Sequence, residues 1–325
     1  MQRARVHQGE ARWSLRIGLA ALAVLLVAAA PATAAQRDRA PAGHLDAARE
    51  AAEAERVERF WTPARMRSAR SLDLTMDDRG QVERQVHSEL AEALASFQRV
   101  PTPEVPPFSV NGQIFVRLGG QVGSCSGTAI NSPTRQLVLT AGHCVNTGPE
   151  RPRRNGIWAN FIQFVPAYNG GVAPFGAFVA HRADIYSLRQ WTRFGNPDFD
   201  LGAFLVQPNP EGVNVADAVG GGATIVTDVT RRQEFQAFGY PGETTQMQQC
   251  RSPYIGDDLL SYPLPGPPTL GIRCRWAPGA SGGGWLIGDG TQINGITSYL
   301  HPYNTRRTYG PYFSQVTVGD LVRGL

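Results

Sequence analysis

The pattern of hydrophobic and polar positions changes near residue 108. From there to the end, short apolar runs alternate with Gly, Pro, Asn and Asp, without long helical stretches between them. We expect strands at residues 113–117, 127–130, 137–141, 161–165, 177–180, 202–206, 224–227, 235–238, 284–287 and 293–298. Many short strands bounded by turn residues predict an antiparallel all-β fold, a sandwich or a barrel. Only the end of the chain, around residues 316–325, has a helical pattern.

Residues 36–107 have a different composition and predict helices. Residues 45–59 are rich in Ala, Glu and Arg, and residues 82–97 carry apolar side chains at helical spacing. A proline-rich stretch at residues 101–107 closes the segment and predicts an exposed linker. We interpret residues 36–107 as a prosegment that assists folding or blocks the site until it is cut. The alternative is an extension that packs permanently on the domain.

Residues 1–35 have the pattern of a secretory signal. Four arginines precede an apolar run at residues 17–30, and small residues follow it, with the simplest cleavage site after Ala34. The alternative is a transmembrane anchor, but the run is shorter than the ~20 residues that a span requires. The sequence therefore predicts a secreted, extracellular protein, divided into residues 1–35, 36–107 and 108–325.

Composition narrows the function classes. The 325 residues are 42% hydrophobic, and the net charge of +4 comes from scattered arginines, since the chain has no lysine. This charge supports neither a nucleic-acid partner nor a membrane surface as partner. The four cysteines are an even number in an exported chain, which favours disulfides. The rival interpretation is a redox or zinc site, but the chain has no C-x-x-C pair.

An apolar run at residues 137–139 leads to His143, the first candidate catalytic residue. A histidine can take and return a proton near neutral pH, but it needs an acid to orient it and a nucleophile to activate. The acid candidate is Asp200, at the mouth of an apolar strand, and Asp198 is the alternative. Both aspartates could instead simply cap a turn.

The nucleophile candidate is Ser281, within Gly279-Ala280-Ser281-Gly282-Gly283. Glycines on both sides allow a sharp bend and leave the hydroxyl open to substrate. They also leave the backbone N–H groups of Gly279 and Ser281 free to stabilise an oxyanion. The alternative is an ordinary glycine-rich loop in a chain with 36 glycines.

Together these motifs resemble the trypsin-like (chymotrypsin-fold) serine peptidases, particularly secreted bacterial members. Thr140-Ala141-Gly142-His143-Cys144 is similar to the family's histidine motif, Asp200-Leu201-Gly202-Ala203 to its aspartate motif, and residues 279–283 to its serine motif. The order His, Asp, Ser is also the family's order. The resemblance covers residues 113–325, and residues 60–66 are similar to leaders of secreted bacterial relatives.

The resemblance implies two six-stranded antiparallel β-barrels with the site between them. It implies a secreted endopeptidase that hydrolyses protein or peptide substrates through an acyl-enzyme, as a monomer and without a metal or cofactor. Ser298 and Tyr299 fall in the segment expected to bind substrate. Cys125 matches the cysteine that closes the histidine loop with Cys144, and the resemblance implies a second bond, Cys250–Cys274, that would join the loops preceding Ser281.

Four positions depart from the family's pattern. Ala280 replaces the aspartate that pairs with a newly cut N-terminus in digestive relatives, so any prosegment must act by another route. Gly284 stands where proline is usual, and Thr297 stands where glutamate-specific relatives carry histidine. Arg275 lies near the expected base of the substrate pocket, but the cysteine spacing there differs from the digestive enzymes, and the preferred substrate side chain stays undetermined.

Two other functions remain as alternatives. Residues 279–283 also satisfy the G-x-S-x-G motif of lipases and esterases, which requires a strand–turn–helix setting and a later histidine. Only His301 follows Ser281, and no β–α alternation precedes it. The second alternative is a non-catalytic binding homologue of the same fold, because a fold alone does not guarantee activity.

Overall fold

The computed structural model of the protein describes residues 36–41, 43, 45–77, 82–84, 97–149, 155–242, 245–259, 266–276, 278–302 and 304–325. The strands are β1 Arg37–Arg39, β2 Arg70–Ser71, β3 Leu74–Met76, β4 Val82–Arg84, β5 Gln98–Arg99, β6 Asn111–Leu118, β7 Gln121–Ala129, β8 Leu137–Thr140, β9 Asn160–Pro166, β10 Phe178–Leu188, β11 Gly202–Val206, β12 Thr224–Ile225, β13 Glu234–Gly239, β14 Gln248–Asp257, β15 Leu270–Ile272, β16 Gly284–Ile287, β17 Gln292–Ile296, β18 Tyr299–His301 and β19 Asn304–Gly310. The helices are α1 Ala47–Phe60, α2 Pro63–Arg67, α3 Gly142–Val145, α4 Arg189–Phe194, α5 Val215–Ala218 and α6 Asp320–Val322.

Strands β6 to β11 form a closed six-stranded antiparallel barrel. The order runs β10-β11-β8-β7-β6-β9, and β9 closes the ring because it pairs with both β6 and β10. Side chains such as Ile114, Val138, Phe164 and Phe204 are fully buried in this barrel. Alternation along the strands directs them inward, which is why the apolar runs of the sequence predicted these strands.

The second sheet forms the other half of the domain. Its order is β12-β17-β16-β13-β14-β15-β19-β18-β3-β4, with β5 on β14. Strand β18 follows β17 after two residues, so one stretch of chain pairs with β16 at its start and with β19 at its end. This stretch joins β16, β13, β14, β15 and β19 into a second six-stranded ring. The all-β fold expected from the sequence is confirmed.

The elements differ from the predictions mainly in extent. Each predicted strand overlaps an observed one. The sequence analysis missed β14, β15, β18 and β19 in the domain, and it predicted none of β1 to β5 before residue 108. The chain ends in a π-helical turn at Gln315–Gly319 followed by α6, which matches the expected helix at residues 316–325.

The segment before residue 108 packs on both halves of the domain. Helix α1 confirms the prediction for residues 45–59, and its Glu50 accepts a hydrogen bond from His181 of β10 (3.1 Å). The second predicted helix, residues 82–97, is wrong at its start. Residues Val82–Arg84 are strand β4, because their backbone pairs with that of β3 in antiparallel orientation. Residues 85–96 lie outside the described part of the chain.

None of the helices in the described ranges has both the length and the apolar character that crossing a membrane would require. The predicted secretory signal concerns residues 1–35, which lie outside the described residues.

Candidate active site

The structure holds His143 and Asp200 together in a buried pair. His143 lies in α3, directly after β8, and Asp200 directly precedes the strand β11 that pairs with β8. The Nδ1 atom of His143 lies 2.7 Å from Asp200 Oδ2, and its backbone N–H donates to Asp200 Oδ1 at 2.7 Å. The two side chains are 1% and 0% exposed. Because the carboxylate accepts from the ring and from the backbone, it fixes both the position and the orientation of the imidazole.

Asp198 lies elsewhere, against residues 266–269. A Cβ on Gly266 would come within 2.8 Å of its Oδ2 atom. Burial raises the pKa of Asp198 to about 7, and the nearby charge of Asp258 adds to the shift, against a hydrogen bond from the Thr269 backbone and the charge of Arg231. Of the two candidate acids, the structure therefore brings Asp200 to His143, and not Asp198.

Glycine backbone conformations shape the loop that carries Ser281. Gly279 has φ 110° and Gly282 has φ 82°, in a region that side chains rarely adopt. Their neighbours are fixed, because Ser126 donates from Oγ to the Gly279 carbonyl (2.9 Å) and from its backbone N–H to the Ser281 carbonyl (2.8 Å). Within the described chain, the N–H groups of Gly279 and Ser281 have no hydrogen-bond acceptor. They are therefore available to a substrate oxygen.

The hydroxyl of Ser281 does not contact His143. It donates to Asp73 Oδ1 (2.9 Å), and it lies 3.5 Å from the carbonyl oxygen of Ser298. The Nε2 atom of His143 is 3.0 Å from the carbonyl oxygen of Leu72. Leu72 and Asp73, consecutive residues of the N-terminal segment, thus contact the candidate base His143 and the candidate nucleophile Ser281.

Sequence reasoning missed Leu72 and Asp73. The sequence did contain one indication of a strand here, because the apolar residues Leu72, Leu74 and Met76 alternate with polar ones as in a half-buried strand. In the structure these three side chains are all buried.

The expected substrate-binding residues, Ser298 and Tyr299, contact Asp200 and Leu74, respectively. The Ser298 hydroxyl donates to Asp200 Oδ2, which makes it a further partner of the buried carboxylate. Tyr299 pairs with Leu74 through its backbone. A small recess beside Ser281 is lined by Trp276, Thr297 and Thr308, with Leu74 also in its wall, whereas Arg275 does not line it.

Both expected disulfides are present. Cys125 is bonded to Cys144 and Cys250 to Cys274. Cys125, Cys144 and His143 form a cluster with ligand atoms within 4.8 Å of one another. Because both sulfurs of this cluster are in a disulfide, neither is the thiolate that a zinc ion would need.

The setting of Ser281 does not match that of a lipase or esterase. Those enzymes place the serine between a strand and a helix, whereas Ser281 is followed by strand β16. The nearest later histidine, His301, bonds to Met76 O (2.7 Å) and Asp258 Oδ2 (2.8 Å). Burial lowers the pKa of His301, but the two hydrogen bonds and the charge of Asp258 together outweigh it and raise the pKa above its ordinary value.

Known structures resemble this chain over most of the described domain. The protease Anisep from Arthrobacter nicotinovorans is 31% identical, with 64% of this chain and 91% of that chain covered and a TM-score of 0.56. The thermostable serine protease AL20 from an extremophilic microorganism is 26% identical over 66% and 95%, with a TM-score of 0.58. A Glu endopeptidase at 19% identity and TM-score 0.55 shares the fold.

Sequence comparison alone gives less. No protein-family model matches the chain, and no curated protein sequence matches it either. The likeness to Anisep covers nearly all of that protein, and it agrees with the closed barrel and the second sheet described above. The chain belongs to the trypsin-like, chymotrypsin-fold serine peptidases.

Proposed function

We propose that the protein is a secreted serine endopeptidase that cleaves peptide bonds through His143, Asp200 and Ser281. The observation that carries this proposal is the buried contact between His143 Nδ1 and Asp200 Oδ2 (2.7 Å). This contact fixes the ring so that Nε2 faces the same short stretch of chain as the Ser281 hydroxyl. A histidine held by an acid beside a serine is the arrangement that activates a hydroxyl nucleophile.

With a substrate in the cleft, the steps are those of acyl transfer. His143 Nε2 takes the Ser281 proton while Oγ bonds to the carbonyl carbon. The oxygen that becomes negative accepts hydrogen bonds from the N–H groups of Gly279 and Ser281. Nε2 then gives its proton to the amine as the C–N bond breaks, and water repeats the sequence on the acyl-enzyme. Asp200 stays ionised and holds the ring.

The remaining parts of the proposal concern export and processing. Residues 1–35 act as a signal peptide and residues 36–107 as a prosegment, with the active form beginning between about Val100 and Phe108. Two disulfides suit an oxidising compartment outside the cytoplasm. Sequencing the N-terminus of secreted protein tests both cuts.

Labelling with a serine-directed phosphonate tests the catalytic proposal. Processed wild-type protein should be labelled at Ser281, as located by peptide mapping. Ser281→Ala and His143→Ala should be unlabelled, and each should lose nearly all peptide cleavage. Ser132→Ala is the matched control, because the Ser132 hydroxyl bonds to the Thr134 hydroxyl in a loop of the first barrel. Ordinary cleavage by Ser281→Ala would contradict the proposal.

A folded, processed protein that is neither labelled nor active would instead support the non-catalytic binding homologue.

A further inference from the structure

A short N-terminal segment, residues 70–76, crosses the candidate active site. Its first part, β2, pairs in parallel with β7 of the first barrel, where Arg70 is opposite Gly123. Its last part, β3, pairs in parallel with β18, where Leu74 is opposite Tyr299. The segment therefore connects the two sheets at the point where His143 and Ser281 lie.

The cleft holds this segment by hydrogen bonds on both sides of Asp73. On one side, Leu72 N–H donates to the Ser124 carbonyl (3.0 Å), and the Ser71 hydroxyl donates to the Gly242 carbonyl (3.2 Å). On the other side, His301 Nδ1 lies 2.7 Å from the Met76 carbonyl oxygen.

The surface under Leu72 has room for it only because residue 123 is glycine. A Cβ at Gly123 would lie 2.6 Å from the Leu72 side chain, closer than real contacts allow. The hydrogen bonds and the space at Gly123 indicate that residues 70–76 are held in one defined position in the cleft.

The contacts at the centre separate the two reactive groups from each other. The Leu72 carbonyl can only accept, so an Nε2–H of His143 donates a hydrogen bond to it, and this nitrogen is not free to receive the proton of Ser281. The Ser281 hydroxyl donates to the Asp73 carboxylate and not to the imidazole. In this state the base and the nucleophile each have another partner.

The orientation of the Leu72–Asp73 peptide bond is also wrong for cleavage. In acyl transfer, the carbonyl oxygen must face the oxyanion N–H groups, and the leaving nitrogen must face the acid–base nitrogen of the histidine. Here the carbonyl oxygen of Leu72 faces His143 Nε2, in the place that the leaving nitrogen requires.

We propose that residues 70–76 are a built-in inhibitor that occupies the cleft in the reverse orientation to a substrate, with Asp73 holding the Ser281 hydroxyl. This inference rests on the proposed function and adds the way in which the prosegment blocks the site. The reversed segment is not cut by its own active site, so maturation requires a cut elsewhere in the chain.

Phosphonate labelling of the intact, uncut chain tests the inhibitory contact. Wild type should be labelled slowly, and Asp73→Ala about 10- to 100-fold faster, the factor expected for losing a charged hydrogen bond. Asp46→Asn is the control and should behave as wild type, because Asp46 is an exposed cap of α1 and lies outside residues 70–76. Equal rates for wild type and Asp73→Ala would overturn the proposal. If Asp73→Ala does not fold, Asp73→Asn keeps the size of the side chain and should still be labelled faster than wild type.

Two further readouts separate this proposal from the proposed function. Hydrogen exchange should show a protected Leu72 N–H in wild type and faster exchange in Asp73→Ala, whether or not the protein is active; unchanged exchange would overturn the proposal. Mass spectrometry after long incubation should find the Leu72–Asp73 bond intact, and hydrolysis there would overturn the reversed orientation. Absence of labelling in the processed protein would refute the proposed function alone.

Discussion

Asp198 and Asp200 are two residues apart but lie in different surroundings. Asp200 is fully enclosed and accepts from the His143 backbone, the His143 ring and the Ser298 hydroxyl. Three donors compensate the cost of burying a charge. Asp198 is buried with less compensation, and its pKa rises to about 7. The two carboxylates therefore differ in their donors: Asp200 is held beside the histidine by three of them, whereas burial raises the pKa of Asp198.

This difference predicts unequal effects of the same substitution. Asp200→Asn should lower kcat by about 10⁴-fold in the processed enzyme, because an amide holds the wrong histidine tautomer. Asp198→Asn, the matched control, should change kcat far less. Steady-state cleavage of a peptide substrate measures both variants, and a larger loss in Asp198→Asn would show that the orienting acid is assigned wrongly.

The raised pKa of Asp198 predicts a pH-dependent stability. Between the unfolded value of about 4 and the folded value of about 7, the folded chain keeps a proton that the unfolded chain releases. The free energy of unfolding should therefore fall as pH rises through this range and level off above it. We expect a loss of about 2 kcal/mol, below the ~4 kcal/mol of a fully buried group, since Asp198 is partly exposed.

Denaturant unfolding of wild type and Asp198→Asn at pH 4 to 8 measures this effect. The difference between the two stabilities should move in favour of Asp198→Asn as pH rises. Parallel pH curves for the two proteins would contradict it.

Alanine substitutions at Gly282 and Gly288 should lower the free energy of unfolding by different amounts. A Cβ at Gly282 would lie 2.1 Å from Thr140 Oγ1 and 2.4 Å from the Ser126 carbonyl oxygen, whereas one at Gly288 would meet nothing within 4 Å. Both have positive φ, so Gly288→Ala carries only the backbone strain of about 1–2 kcal/mol. Gly282→Ala should lose at least ~3 kcal/mol, as measured by denaturant unfolding, and equal losses would argue against a rigid serine loop.

At the scale of elements, the two disulfides hold different parts of the chain. The Cys125–Cys144 bond fixes α3, with His143, to β7, and the Cys250–Cys274 bond ties β14 to the chain before Ser281. Each closes a loop of similar length and contributes about 3 kcal/mol in the chain-entropy model. Their effects on catalysis should differ, because only the first bond adjoins a residue of the proposed triad.

Paired alanine substitutions at Cys125 and Cys144, and at Cys250 and Cys274, test this point. Stability should fall by similar amounts in both variants, whereas kcat should fall more strongly in the first. The comparison is made on protein that remains folded by circular dichroism, and equal kcat values would show that the histidine turn does not need its bridge.

The sequence predicted those features that depend on residues close together in the chain, and it did not predict those that depend on distant ones. His143, Asp200 and Ser281 each lie in a short run of residues whose types indicate their chemistry without any knowledge of the fold. In the same way, short apolar runs bounded by turn residues predicted most of the barrel strands. Strand β3 was missed because its partner, Tyr299 in β18, is more than 200 residues away in the chain. Residues Val82–Arg84 were expected to be helical, since apolar spacing alone does not reveal that β3 is available for pairing.

For the whole molecule, the N-terminal segment is attached at many separate points. Strands β1, β2, β3 and β5 each pair with a strand of the domain, and Trp61 donates to the Phe161 carbonyl (2.6 Å). A single cut should therefore not release the segment at once. The linker offers an exposed cutting site around Glu104 and Val105, of which Val105 is 47% exposed.

We predict that the fragment before the cut stays bound and that activity appears only when it leaves. Size-exclusion chromatography of freshly cut protein should show one peak containing both pieces, with little peptidase activity. A second cut within the fragment, or mild denaturant followed by dilution, should separate them and raise activity. An active species that still carries residues 36–98 as covalent chain would contradict the prosegment assignment.

The pairing of β3 with β18 has a consequence for the shapes of protein that the proposed endopeptidase would cleave. Loss of β3 leaves β18 with a free edge of backbone N–H and C=O groups. Such an edge binds a peptide by adding it as a strand, through contacts that do not depend on side chains. A helix or a tight turn cannot supply a strand, so folded proteins should be cut only where several consecutive residues extend away from their surface.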